Sequence, residues 1–99
     1  MVNVYKSVSV VILYFNDIHI NESVKSIKRQ TVIPDEIIII DDFSNTPLDA
    51  NITNSDCKII RNSQNMGRGY SRNLGIKESK SEFVVFCDAS NALCENFIE

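Results

Sequence analysis

The chain has 99 residues, 43% of them hydrophobic and 23% charged, with a formal net charge of −3. That length allows one domain with a single modest core, so residues 1–99 read as a single unit. The mildly acidic balance, with no basic run, argues against nucleic acid as a partner. No charged segment leads into a long apolar core, and no apolar run approaches about 18 residues. Neither a signal peptide nor a transmembrane segment is therefore expected, and the expected location is the cytoplasm.

Val8–Tyr14 is β-branched and apolar and reads as the first strand, stopping at Phe15-Asn16-Asp17. His19 is expected on the surface ahead of a helix that Asn21 would cap and that runs to about Gln30. Ile20, Val24 and Ile27 recur at i, i+4 and i+7, while Glu22, Lys25, Lys28 and Arg29 lie off that stripe. Pro34 disfavours helical geometry in the residue before it and ends this stretch. Glu36 then opens a run of consecutive isoleucines, Ile37 to Ile40. Apolar on both faces, it reads as a central strand of a parallel sheet covered by helices on both sides.

From Phe43 to Asp56 the chain is polar, broken by Pro47, and leaves room for a short helical turn. Cys57–Arg61 reads as a third strand, Asn62–Gly67 as a loop, and a helix is predicted from Gly67 to Ser79. Glu82–Cys87 reads as the last strand, ending in Asp88-Ala89-Ser90-Asn91, and Leu93 to Glu99 would begin another helix. The three cysteines, Cys57, Cys87 and Cys94, lack metal-ligand spacing and read as reduced thiols, Cys57 and Cys87 buried in strands. The order strand, helix, strand, short connection, strand, helix, strand predicts an α/β fold with a Rossmann-like parallel sheet. The expected spatial order is third, second, first, fourth.

In such sheets ligands bind at the carboxyl ends of the strands. Four polar loops would meet there: Phe15 to Asp17, Asp41 to Ser44, Arg61 to Gly67, and Asp88 to Asn91. Asp41 and Asp42 either open a polar turn or touch a ligand. Phe15 is either a core aromatic or a stacking face, and an aromatic beside a carboxylate suits a nucleobase. Gly67, Ser71 and Gly75 fall four apart, a row of small residues that would let the last helix lie close to the sheet. Arg68 and Arg72 form the adjacent row near the helix N-terminus, as surface residues or as a pyrophosphate contact. No G-x-x-x-x-G-K-[ST] motif is present, and no G-x-G-x-x-G follows the first strand. A phospho-acceptor receiver would need its acidic pair after the first strand.

Five stretches in order resemble the family-2 nucleotide-sugar glycosyltransferases, which have the GT-A fold. Ser9-Val10-Val11-Ile12 with Phe15-Asn16 is similar to that family's opening strand and its aromatic–Asn step. Glu22 to Thr31 is similar to its first helix, which ends in Gln-Thr. Glu36 to Ser44 resembles its Asp-Asp-Gly-Ser signature. Asn65-Met66-Gly67 and Arg72-Asn73-Leu74-Gly75 resemble its Asn-x-Gly and Arg-Asn-x-Gly pattern. Phe83 to Asn91 falls where its metal-binding Asp-x-Asp motif belongs.

The resemblance implies transfer of a sugar from a nucleoside-diphosphate donor, UDP being the guess, with inversion at the anomeric carbon. Phe15 would stack on the base, Asp42 would accept a hydrogen bond from it with Asp41 nearby, and Arg72 would sit near the diphosphate. Asp88 and Ser90 would hold Mn²⁺ or Mg²⁺. Ser90 stands where the family has its ligating carboxylate, and hydroxyl and amide oxygens are weaker ligands for a hard cation. The general base belongs to the later part of such domains. The resemblance therefore implies the donor-binding half, inactive alone, with a sheet edge free for self-association. Attachment to the inner face of the cell membrane and polysaccharide synthesis are expected at family level only. The alternative is a non-catalytic nucleotide-binding or interaction module derived from such a domain.

Overall fold

The computed structural model describes residues 7–17, 19–29, 34–48, 50–53 and 55–88, and of Asp88 the backbone alone. Its elements are β1 (Val8–Tyr14), α1 (Ile20–Lys28), β2 (Glu36–Asp41), α2 (Ala50–Thr53), β3 (Lys58–Arg61), α3 (Arg68–Glu78) and β4 (Phe83–Asp88). The four strands form one parallel sheet in the order β3-β2-β1-β4, as the sequence predicts.

The isoleucine run is apolar throughout because each of its faces meets a different layer. Ile37 and Ile39 of β2 join Val10, Ile12 and Tyr14 of β1 under Ile20, Val24 and Ile27 of α1 and Ile52 of α2. Ile38 and Ile40 join Val11 on the opposite face, where Leu74 of α3 packs. Fully burying one such side chain contributes about 1.5–3 kcal/mol. That sum, rather than helix or strand propensity, fixes the two-layered cover.

The start of α1 differs from expectation. The helix begins at Ile20, and the residue ahead of it, His19, makes no side-chain capping bond; Asn21 lies inside the first turn. Ile20 is 5% exposed. Drawing it into the core outweighs a cap, which is worth about 1 kcal/mol. Glu22 in the first turn and Lys25 and Lys28 in the last suit the helix dipole. The predicted end at Gln30 lies outside the described residues. Cys57 also departs from expectation. It precedes β3, where its N–H donates to Ser55 Oγ at 3.3 Å, and it is only half-buried, packing at the margin of the core layer under α1. Cys87 is buried in β4 as expected.

α3 docks through small residues, not an apolar stripe. Ser71 and Gly75 are its buried positions, and this lets the helix approach β1 and β2 closely. The sheet register aligns Tyr14, Asp41 and Arg61 across three strands, with Leu13 opposite Asp88. The loops that follow therefore leave the sheet at one edge. β4 is the outer strand beside β1, and Phe83 at its start is exposed. Among the described residues no helix is long and apolar enough to cross a membrane.

Candidate functional site

A cleft of about 320 Å³ opens at that edge, lined by Leu13, Phe15, Asp17, Asp42, Asn65, Gly67, Arg68 and Ser71. Strand ends supply the first four residues, and the loop and first turn of α3 the rest. Phe15 is 47% exposed, so its ring lies at the surface of the cleft and not in a core layer.

Asp42 organises the floor. Its Oδ1 accepts from the Met66 N–H at 2.7 Å and from Asn62 Nδ2 at 2.9 Å, and its Oδ2 accepts from the Gly67 N–H at 3.0 Å. Burial opposes ionisation of this carboxyl. The Met66, Asn62 and Gly67 donors together outweigh it and hold the group below its ordinary value. An ionised carboxylate offers about four acceptor positions. Three are taken, so Oδ2 can still accept a ligand N–H. Asn62 also reaches Ser71 Oγ at 3.2 Å, which ties the α3 docking row to the same carboxylate.

Asp41 has a different place. It is buried outside the cleft lining, with Oδ1 accepting the Ser44 N–H at 2.8 Å and Oδ2 held by Arg61 Nη1 at 2.9 Å. Arg61 also donates to the Ser44 carbonyl at 3.1 Å and lies 4.9 Å from the centroid of the Phe43 ring. Phe43 has φ 61, in the left-handed region that a glycine would occupy without strain. Arg72 also lies outside the lining: its guanidinium is 5.8 Å from the Phe86 ring centroid. Arg68, one turn earlier on α3, lines the cleft instead.

Phe15 and Asp42 thus line one cleft, while Asp41 and Arg72 lie outside its lining. The Ser90 position lies outside the described residues, as does the Asp88 side chain. Among the described residues no group of three His, Cys, Asp or Glu side chains could hold a metal ion. The Arg61 to Gly67 loop was expected at this edge, but no role for Arg61 or Asn62 was read from the sequence. Their position immediately at the end of a predicted strand, on the ligand-bearing edge, was the available signal. No buried side-chain nitrogen or oxygen among the described residues lacks a hydrogen-bond partner. The polar floor is thus set before any ligand arrives.

The family model described as "Glycosyl transferase family 2" matches residues 9–99. The chain is 33% identical over 95 residues to "Uncharacterized glycosyltransferase YwdF" of Bacillus subtilis, covering 93% of this chain and 35% of that protein. It is 32% identical over 104 residues to a cholesterol galactosyltransferase of Borreliella burgdorferi, covering 100% of this chain and 29% of that one. The chain thus spans about a third of the length of these curated relatives. Among solved structures, S. aureus TarS 1-349 in complex with UDP superposes with a TM-score of 0.79 at 25% identity, over 91% of this chain and 29% of that one. The mannosyltransferase PcManGT of Pyrobaculum calidifontis, in complex with GDP-Man and Mn²⁺, gives 0.79 at 19% identity, over 90% and 29%. The second of these speaks for the fold alone. With the parallel sheet, the strand order and a family match over nearly its whole length, the chain belongs to glycosyl transferase family 2.

Proposed function

We propose that this chain carries the donor-nucleotide site of a glycosyltransferase that moves a sugar from a nucleoside-diphosphate sugar to an acceptor hydroxyl, with inversion. The observation that carries this reading is the cleft itself: an exposed aromatic, Phe15, shares it with the ordered carboxylate of Asp42 and the α3 N-terminus. The structure of S. aureus TarS in complex with UDP, a protein 25% identical to this chain, supports the nucleotide class.

In this reading Phe15 stacks on the base and Asp42 Oδ2 accepts its ring N–H. Asp41 keeps the β2 loop in place through Ser44 and Arg61. Arg68, on the first turn of α3, faces the diphosphate together with the partial positive charge of the helix end, and Arg72, one turn on and over the Phe86 ring, lies near that diphosphate. Transfer breaks the bond from the anomeric carbon to the diphosphate oxygen and forms one to the acceptor oxygen. The proton of the acceptor hydroxyl passes to a general base, to which no residue of this chain is assigned. Asp88 and Ser90 would be the donors to Mn²⁺ or Mg²⁺, which when bound offsets charge on the departing diphosphate. One carboxylate with a hydroxyl and an amide is a poor donor set for such a cation. That substitution favours a second reading, a nucleotide-binding module without catalysis.

Calorimetric titration with UDP, with and without Mn²⁺, tests both. Binding that Mn²⁺ strengthens and Asp42→Ala weakens supports the donor site of an enzyme, and binding indifferent to metal supports the module. No binding of any nucleoside diphosphate would refute both.

A further inference from the structure

Asn16 stands between two loops of the cleft and makes no part of its lining. Its backbone is left-handed, φ 56, a conformation Asn tolerates better than most residues. Its Oδ1 accepts from Ser44 Oγ at 2.6 Å, from the Asn45 N–H at 2.8 Å and from the Thr46 N–H at 3.0 Å. Its own N–H donates to Ser44 Oγ at 2.7 Å. One residue thus holds three successive positions of the neighbouring loop.

That loop is itself fixed. The Ser44 N–H is held by Asp41 Oδ1 at 2.8 Å, and the Thr46 carbonyl accepts from the hydroxyl of the buried Tyr14 at 2.7 Å. Asn16 therefore fastens the β1 loop to an anchored partner. Phe15, the residue before it, belongs to neither core layer. With no core to seat the ring, its direction follows from the backbone at 15 and 16.

We propose that Asn16 is a positioning residue: its carboxamide latches the β1 loop to the Ser44–Thr46 loop and so holds the Phe15 ring at the cleft. The part of this that concerns ligand affinity rests on the nucleotide reading above. The latch is the acceptor oxygen rather than the left-handed backbone. Asn16→Gly, which keeps the backbone freedom and loses the oxygen, fails like Asn16→Ala, whereas Asn16→Asp keeps both.

The test uses the whole chain labelled with 4-fluorophenylalanine and read by fluorine NMR without nucleotide, the Phe15 signal being identified by its loss in Phe15→Leu. In Asn16→Ala and Asn16→Gly the Phe15 signal moves toward its position in urea while those of Phe43, Phe83 and Phe86 stay. In Asn16→Asp it remains in place. An unmoved Phe15 signal in Asn16→Gly, or equal movement of all the phenylalanines, overturns the latch. A UDP titration then reads its consequence: Asn16→Ala weakens binding about fivefold in the parent chain and less than about twofold beside Phe15→Ala. Equal losses in the two backgrounds overturn action through Phe15. A parent chain that binds no nucleoside diphosphate refutes the nucleotide site instead, and the fluorine signal still decides the latch.

Discussion

Gly75 of α3 stands directly over Val11 of β1: a Cβ built on the glycine would lie 2.6 Å from Val11 Cγ1. Val11 is fully buried between Ile38 and Phe86 in the sheet, and its β-branched side chain has few rotamers to yield into. Gly75→Ala gains about 1 kcal/mol in helix propensity. It also overpacks the contact, which costs about 1–3 kcal/mol. The expected result is a net loss of about 1 kcal/mol, read as a lower urea midpoint at unchanged slope. Val11→Ala opens the space, so the double variant should lose less than the sum of the two single changes.

Asp42 should give the fold a distinct acid sensitivity. Its folded-state pKa lies below the ordinary value of 3.8, since its three donors outweigh burial. A depressed pKa adds stability that is complete above the unfolded value and disappears as pH falls through the lower folded one. Asp42→Asn cannot titrate and leaves a backbone N–H without its acceptor. At neutral pH it should be less stable by about 1–3 kcal/mol. Below about pH 4 the difference should shrink, because the wild-type chain then loses what the variant never had. Urea midpoints of both chains across that range check this. A gap that stays constant with pH would deny the carboxylate its role.

Much of the fold was legible because the isoleucine run and the two helix patterns make the same demand: a sheet buried on both faces. The strand order followed from the same pattern. The start of α1 was not legible, because a cap is a local preference and the burial of Ile20 is a tertiary one. The residues alone gave the acidic pair a place, and the family resemblance gave Asp42 the ligand-facing role and Asp41 a neighbouring one, in keeping with Asp42 lining the cleft. Which carboxylate faces the cleft depends on Arg61 and Asn62, which the β2–β3 register brings in from distant sequence. Arg68 and Arg72 share a helix face, and only the point where α3 meets the loops shows which one lines the cleft. Phe43 gave no sign of its left-handed backbone.

Phe43 and Arg61 should compensate for one another. A left-handed backbone at a non-glycine residue costs about 1–2 kcal/mol, and a cation over an exposed ring returns about 0.5–1 kcal/mol. Phe43→Gly removes both and should stay within about 1 kcal/mol of wild type. Arg61→Ala removes the stacking, the bond to the Ser44 carbonyl and the partner of buried Asp41. It should cost about 2 kcal/mol. Beside Phe43→Gly the same change should cost about 0.5–1 kcal/mol less. Denaturant titration of the four chains closes the cycle.

In the proposed site, the diphosphate contact would be separated from the base contact by comparing UDP with uridine. Arg68 lines the cleft at the first turn of α3, so Arg68→Gln should weaken UDP binding about tenfold and leave uridine nearly unchanged. Arg72 lies over Phe86 and must leave that ring to reach a phosphate, so Arg72→Gln should weaken UDP by only about threefold. Both losses should shrink in high salt, since exposed charges are screened. Phe15→Ala should instead weaken UDP and uridine alike, by about tenfold, because stacking acts on the base that both share. If the arginine variants weaken uridine as much as UDP, these side chains serve the packing of α3, and the anion end of the site lies elsewhere.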